Sequence, residues 1–527
     1  MKSKNQTQHN SFLASALIVS IGGLISKLLG AIYRIPLTNL IGSFGMGQYQ
    51  LIFPPYILIM TLATAGIPIA VSKLVSEYNQ KNRIDQSKKV FYFSLFLLFV
   101  FGALGSLLLF TLSEPLAAWQ GNPEIATAYR IVSPSILFIT VTSGFRGFYQ
   151  GNMNMLPVSV SQVGEQIVKL AVGLFLAQLF LPDVTKAVFG AVIAITVGEF
   201  VSLCIVIIFY AFRGNRLPQI SYTNNEALEK RRILSLALPV VLGGFIMQTT
   251  QLLDSVMVVN LVNAQNPTNL YGLWTGPVNS LLGLPVTLTA GVAVSALPSI
   301  SRSCACGDNA VINEKFNQAF KLTVLLALPS AIGVAVLAKP IISLLYGSLP
   351  IAEIDIAANL LTASAVSIIF LSILQTIIAT CQALGKPYVP VLLLIGGVAA
   401  KFTFNLIFLP MENVNIYGAA ISESMCYLFA ATSGIIYLAV KQNLKIDFVC
   451  SILKPLACTV VMLLGLLALT IGASQFVTTW VGTLVAIALC VAIYFCMVYE
   501  LKIFTDGEIN RIIRRRGKTN GTERQLE

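Results

Sequence analysis

Long apolar stretches follow one another along almost the whole chain, and this constrains the fold more than any other feature. A membrane-spanning helix needs about 20 apolar residues. Fourteen segments meet that length, at roughly 12–33, 50–72, 90–112, 128–148, 157–180, 187–212, 233–261, 271–299, 317–338, 356–381, 388–409, 416–440, 451–473 and 477–499. No polar stretch between them is long enough for a soluble domain. Only 11% of the 527 residues are charged, against about 25% in a soluble protein. The sequence therefore predicts an all-α polytopic membrane protein with about 14 transmembrane helices.

The charges between the segments set an orientation. With the N-terminus inside, the inner loops and tails hold 26 of the 34 Lys and Arg residues. The outer loops are acidic, with Glu114, Glu124, Asp183, Glu353, Asp355 and Glu412. This is the positive-inside pattern and predicts both termini in the cytoplasm. The net charge of +12 is read in the same way, so no nucleic-acid partner is expected. The basic tail around Arg511–Lys518 is expected on the anionic inner leaflet. Met1–Asn10 leads into an apolar run too long for a signal peptide, so an uncleaved first helix is expected.

The chain repeats itself. Ala16–Ile25 matches Ala237–Ile246 at an offset of 221, Tyr49-x-Leu51 with Pro55 matches Tyr271-x-Leu273 with Pro277 at 222, and Gln150, Gly164 and Lys169 match Gln382, Gly396 and Lys401 at 232. The order is preserved while the offset drifts slowly. Two six-helix repeats in parallel orientation are therefore expected, plus two extra C-terminal helices. The expected divisions are 1–213 and 233–441 for the bundles, 214–232 for a cytoplasmic linker, 451–503 for the added helices and 504–527 for the basic tail. An even helix number per repeat gives both the same orientation, which is transporter architecture with a site expected between the halves.

Charge inside hydrocarbon costs several kcal/mol, roughly 2.5–3.5 on insertion scales, and marks candidate functional residues. Lys27 lies fifteen residues into the first segment, about 22 Å along a helix. Arg34 follows near its outer end. Lys169 lies twelve residues past Pro157, about 18 Å deep. Glu199 is at comparable depth on the next segment, so Lys169 is expected to pair with Glu199 or with Glu165, one turn below it. Lys401 and Glu423 repeat that arrangement in the second copy, which also carries Asp254. Structural ion pairing is the alternative role for Glu165, Glu199 and Glu423. Lys73 and Glu77 are spaced i, i+4 at the end of the second segment and are able to snorkel. Arg146, near the turn Gln150–Pro157, is read mainly as a topogenic residue at a hinge. A cavity lined by Lys and Arg suits phosphate or carboxylate groups. Pro54-Pro55, Gly66-Ile67-Pro68, Gly283 with Pro285, and Gly291 are expected to interrupt the second and eighth segments.

Enzymatic chemistry finds no support in the sequence. Gly385-Lys386-Pro387 lacks the upstream glycines and the Ser/Thr of a phosphate-binding loop. No cofactor motif is legible. His9 is the only histidine and the cysteines lie mostly in apolar runs, so neither a metal site nor a disulfide framework is expected.

Five motifs carry a resemblance: SKLLGAIYRIPL at 26–37, TAGIPIAVSKLVSEY at 64–78, RGFYQGNMNMLPVSVSQVGEQIVK at 146–169, LPVTLTAGVAVSALPSIS at 284–301 and QALGKPYVPV at 382–391. In these the chain resembles the multidrug/oligosaccharidyl-lipid/polysaccharide exporter superfamily along nearly its full length. Within it, the chain is similar to the polysaccharide-biosynthesis branch that includes lipid II flippases and stage V sporulation protein B. The resemblance implies a flippase for a polyprenyl-pyrophosphate-linked saccharide in the cytoplasmic membrane of a bacterium, with roles in peptidoglycan, cell-wall or spore-cortex synthesis. It also implies a groove for the lipid tail beside the last two helices. The implied partners are that anionic substrate, membrane lipids and a coupling ion, H+ or Na+, with the chain acting as a monomer. Lys27, Arg34, Lys73, Lys169 and Lys401 are the expected substrate residues. Arg146, Glu165, Glu199, Asp254 and Glu423 are the expected structural or coupling residues. The chain departs from the lipid II flippases in having Lys27 where they have arginine and no basic residue midway along the eighth segment. Two other readings stay open: a cation-coupled multidrug exporter, using Asp254 and Glu423, and a non-transporting scaffold for envelope assembly.

Overall fold

A computed structural model describes residues 2–212 apart from 65 and 82, residue 245, and residues 248–305, 308–473, 479–501 and 503; the side chains of 2–21, 24 and 305 are not described. Helix is the only regular secondary structure among the described residues. They run as α1 (Lys2–Thr64), α2 (Ile67–Gln80), α3 (Ile84–Thr111), α4 (Ser113–Trp119), α5 (Ala126–Gly151), α6 (Leu156–Phe180) and α7 (Val184–Phe212). Next come α8 (248–261), α9 (Pro267–Leu273), α10 (Asn279–Ala305), α11 (Asn309–Val336), α12 (Ala338–Leu345) and α13 (Ile351–Ser364). The chain continues as α14 (Val366–Ala383), α15 (Tyr388–Phe408), α16 (Tyr417–Gln442), α17 (Lys454–Gly472) and α18 (Trp480–Glu500). Helices alone satisfy every backbone polar group within one segment, as hydrocarbon requires.

Among the described residues twelve segments are long and apolar enough to cross a membrane. The first, Ile25–Gln80, runs across the kink at Gly42 and covers the first two expected segments, and of the seventh, 233–261, the described residues are 245 and 248–261. The basic linker at 214–232 and the tail at 504–527 lie outside them as well. The chain is a multi-pass membrane protein.

Helix α1 bends at Gly42, whose φ of 69° and ψ of −175° interrupt the helical backbone. A second break falls at Gly66, in the left-handed region at φ 66°, with Pro68 opening α2. The pair Pro54-Pro55, expected as an interruption, instead lies inside a continuous helix. Pro55 lacks the N–H that would bond the carbonyl of Leu51. Gln120 Nε2 supplies that bond at 3.1 Å and the Tyr129 hydroxyl another at 3.0 Å. The helix survives because buried side chains replace the missing donor. Gly283, Pro285 and Gly291 likewise leave α10 unbroken. The irregularity there sits one turn earlier, as a π turn over Trp274–Val278 that contains Pro277.

The chain groups into two compact units. The first comprises Met1–Ser280 with Ser348–Glu353 and Leu406–Ile416; the second comprises Leu281–Gly347, Ile354–Asn405 and Tyr417–Glu527. In the first, an aromatic cluster of Phe91, Phe145, Phe148 and Tyr210 ties α3, α5 and α7 together. Helix α6 runs antiparallel to α7 with glycines at the crossing. A Cβ on Gly164 would stand 2.7 Å from Ile205 and one on Gly190 would stand 2.9 Å from the Leu176 backbone. The repeat reproduces this device in the second unit, where a Cβ on Gly396 would stand 2.8 Å from Phe429 on the following helix. There, Ile312, Phe316, Phe320, Val324, Leu374, Ile377 and Leu438 form the core of α11, α14 and α16, and α17 and α18 pack on α11 through Cys458, Met462, Cys490 and Tyr494.

Candidate functional site

The embedded charges of the first unit come together where α1, α5, α6 and α7 meet. The first arm of α1 runs parallel to α6. Gly22 packs on Ser159, Gly30 faces Gln166, and Gly173 leaves room for the Tyr33 ring. A Cβ at Gly22 would lie 2.6 Å from that of Ser159, so only glycine permits the approach. This pairing brings Tyr33 beside Lys169, whose Nζ stands 6.0 Å from the Tyr33 ring centroid and 5.6 Å from that of Phe53. Cation–π contact holds the ammonium there. The expected Lys169–Glu199 ion pair is not among the ion pairs of the described residues.

Arg34 follows Tyr33 on α1, half-buried, and its guanidinium donates to the Ser280 hydroxyl at 3.4 Å. Lys27 is exposed, seven residues before Arg34. Seven residues are two turns and about 10 Å of rise, which puts both cations on one face of α1. The Lys169 level falls between them, because Gly30 meets Gln166 and Tyr33 meets Gly173. Lys27, Lys169 and Arg34 thus form a ladder along a parallel helix pair.

Arg146 is the chief difference from the sequence reading. It is not merely a hinge residue, since its side chain is only 15% exposed and fully engaged. Nη2 donates to Glu165 at 3.2 Å and to the Ser202 hydroxyl at 2.8 Å, while Nε donates to Ser161 at 3.1 Å. Glu165 also accepts from Gln166 at 3.0 Å. The carboxylate of Glu165 therefore belongs to Arg146, and Lys169 is left to the aromatic rings. Glu199 is 5% exposed, with Oε2 unpartnered, and it lies within electrostatic reach of Glu165, Arg146 and Lys169.

Ser161 and Ser202 escaped the sequence reading, although a signal exists. Ser161, Glu165 and Lys169 recur at i, i+4 and i+8, and Glu199 and Ser202 at i and i+3, so each set shares one helix face. The aromatic partners of Lys169 carry no such signal, because they come from other helices.

The remaining expected residues have other surroundings. Lys73 is exposed on α2, and its neighbour Glu77 pairs with Lys81 at 2.8 Å. Asp254 is buried, with its charge acting on Tyr271. In the second unit Lys401 is buried on α15, and Glu423 accepts from the Tyr427 hydroxyl at 3.0 Å. The twin lysines thus differ: Lys169 is half-buried beside aromatic faces, whereas Lys401 is 6% exposed.

The second unit also carries an apolar cavity of about 310 Å³, lined by Pro285, Leu325, Pro329, Gly333, Met462 and Tyr494 among others. It lies where α17 and α18 meet α11. No cluster of three or more metal-ligating side chains occurs among the described residues.

Comparison with known proteins places these features. Residues 12–304 match the family described as "Polysaccharide biosynthesis protein". The chain is similar to the lipid II flippase MurJ of Bacillus subtilis, 27% identical over 497 residues, covering 90% of this chain and 89% of that protein. It is similar to stage V sporulation protein B of the same organism, 27% identical over 349 residues, covering 64% and 67% of the two chains. Among solved structures it resembles a lipid II flippase MurJ in an inward closed conformation, with TM-score 0.66, 17% identity, and coverage of 92% of this chain and 99% of the other.

Proposed function

The chain belongs to the polysaccharide biosynthesis protein family, and from that premise we propose that it is a flippase translocating a polyprenyl-pyrophosphate-linked saccharide, a lipid II-like envelope precursor, across the bacterial cytoplasmic membrane. One observation carries the reading: the ladder of Lys27, Lys169 and Arg34 on α1 and α6. An embedded cation normally has an acid beside it. Here the acid Glu165 is taken by Arg146, and Lys169 rests on aromatic faces instead. Such a cation can exchange its ring contacts for phosphate oxygens without breaking an ion pair. A multidrug exporter for cationic drugs would favour the opposite sign on this face.

The apolar cavity beside α17 and α18 supports the second half of the reading. Its lining is aliphatic and aromatic, and it suits a prenyl chain. The loop charges support both termini in the cytoplasm. The six-helix halves 1–213 and 233–441, with 451–503 as an added hairpin, rock by alternating access, driven by an ion gradient or the membrane potential. Lys401 takes the role of Lys169 in the second half.

Depletion of the protein, with quantification of lipid-linked precursors on each leaflet, tests the proposal. Accumulation of the precursor on the inner leaflet is the expected result. Unchanged precursors together with altered dye efflux would favour the exporter reading. Unchanged precursors and unchanged efflux, with envelope assembly impaired, would favour the scaffold.

A further inference from the structure

In the second unit, one row of α11 carries Asn313, Asn317, Lys321, Leu325, Pro329 and Gly333 at four-residue spacing, the spacing of a helix ridge. The first four each bond the chain that follows α16. Asn313 Oδ1 accepts from the Lys445 N–H at 2.8 Å. Asn317 accepts from the Asp447 N–H at 2.8 Å and donates to the Lys445 carbonyl at 2.7 Å. Lys321 Nζ donates at 3.3 Å to the carbonyl of Ile503, just past α18. The row thus holds the approach to α17 and the exit from α18 on a single helix.

The fourth bond depends on Pro329, which lies inside α11 without ending it. Having no N–H, Pro329 leaves the Leu325 carbonyl, four residues back, without its helical donor. The Tyr494 hydroxyl of α18 donates to that carbonyl at 2.8 Å. Leu325 and Tyr494 are both 3% exposed, so water cannot replace the bond. An unmet carbonyl there would carry its full desolvation penalty. Leu325, Pro329 and Tyr494 also line the apolar cavity of about 310 Å³. The bond therefore fixes how far α18 stands from α11 at the wall of that cavity.

We propose that Tyr494 is a positioning residue: by bonding the carbonyl that Pro329 frees, it sets the spacing of α18 from α11 and so the length of chain that the cavity takes. This rests on reading the cavity as the place of the prenyl chain. Pro329 is the other half of the device. An alanine there would satisfy Leu325 from within α11 and make the tie to α18 dispensable. The contacts of Asn313, Asn317 and Lys321 hold the far ends of the added helices, and Tyr494 holds α18 beside the cavity itself.

Tyr494→Phe keeps the ring and removes only the hydroxyl. The purified full-length protein carrying it should melt at a lower temperature, and the amides of α18 should exchange faster in D2O. Pro329→Ala supplies the missing donor, so the double variant should regain the parent's melting temperature. Exchange in α18 should nevertheless stay fast in the double variant, because the tie between the helices is still missing. A hydroxyl needed only to satisfy a buried carbonyl would return both values to those of the parent. Competition between polyprenyl alcohols of long and short chain then reads selectivity in a folded protein. The parent should prefer one length, and the double variant should lose that preference by about tenfold, the weight of about two buried methylene groups. Parent-like exchange in the double variant, or an unchanged chain-length preference, overturns the assignment. No preference in the parent itself would count against the prenyl chain in this cavity, while melting and exchange would still report the tie.

Discussion

At the scale of single residues, the charges are sorted by what each can reach. Arg146 has five donors in a planar fork and spends three of them on an acid and two hydroxyls. Lysine offers only a point charge, and Lys169 lies on aromatic faces instead. The two should therefore respond differently to substitution. Arg146→Ala leaves Glu165 without its cation and should destabilise the protein by about 3 kcal/mol. Thermal unfolding in detergent measures this, and Arg146→Lys should recover only part of it. Lys169→Gln breaks no ion pair, so the melting temperature should change little. Translocation of a labelled lipid-linked precursor in vesicles should fall roughly tenfold or more, the value of one charge-assisted bond. Full translocation by Lys169→Gln would remove that lysine from the ladder.

At the scale of elements, the two copies meet the same proline problem in different ways. Pro55 and Pro277 occupy matching positions of the repeat, and each removes a helical donor. The first copy repairs the loss with Gln120 and Tyr129, which both bond Leu51 and also bond each other. The second copy widens into a π turn at Trp274–Val278. Gln120→Leu should cost about 1–3 kcal/mol, because it removes the donor to Leu51 while leaving that buried carbonyl in place. The melting temperature of Gln120→Leu checks this, and Tyr129→Phe should add less than its own single effect, since the two side chains share one acceptor. Close helix approach follows a similar logic at Gly47 and Gly272. A Cβ at Gly47 would lie 2.0 Å from the Thr268 carbonyl oxygen, and one at Gly272 would lie 2.1 Å from that of Ser43. Gly47→Ala should cost about 1–3 kcal/mol through overpacking, again read as a lowered melting temperature. At the entry to the 449–472 helix, the Cys450 N–H holds the Asp447 carboxyl below its ordinary value. Its folded value is depressed, so its stabilising effect is full above the ordinary carboxylate range near about 3.9 and is lost as pH falls through the lower folded value. Asp447→Ala should remove that acid-side component of the pH–stability curve and leave the neutral-pH slope unchanged.

At the scale of the whole molecule, the apolar cavity beside α17 and α18 links the added hairpin to transport. Gly333 lines it and has open space where a side chain would stand. Gly333→Leu should therefore fill the cavity without displacing its neighbours. The expected outcome is an unchanged melting temperature with reduced translocation of a long-chain precursor, and a smaller reduction for a short-chain analogue. Equal rates for both chain lengths would separate the cavity from the lipid tail. The helical class and the multi-pass character were legible beforehand, because apolar length is a local property that hydrocarbon enforces directly. Glycines conserved between the copies, such as Gly164 and Gly396, proved to do the same packing. The place where the first segment gives way to the second was not legible, since a single residue, Gly42, turns the chain without a polar loop. Prolines were misread as breaks for a related reason: their cost depends on whether a distant side chain supplies the missing donor.

The sequence by itself determined that the chain spans a membrane many times, that its motifs recur at a slowly drifting offset, and that lysine, arginine and glutamate lie within apolar segments where charge is costly. Depth is a count of residues along a helix, so it needs no partner to be known. Only the tertiary structure decided which charge meets which. Pairing depends on the rotation and crossing of neighbouring helices, set here by glycines such as Gly22, Gly173 and Gly198. That rotation gave Glu165 to Arg146, laid Lys169 on Tyr33 and Phe53, and left Glu199 buried.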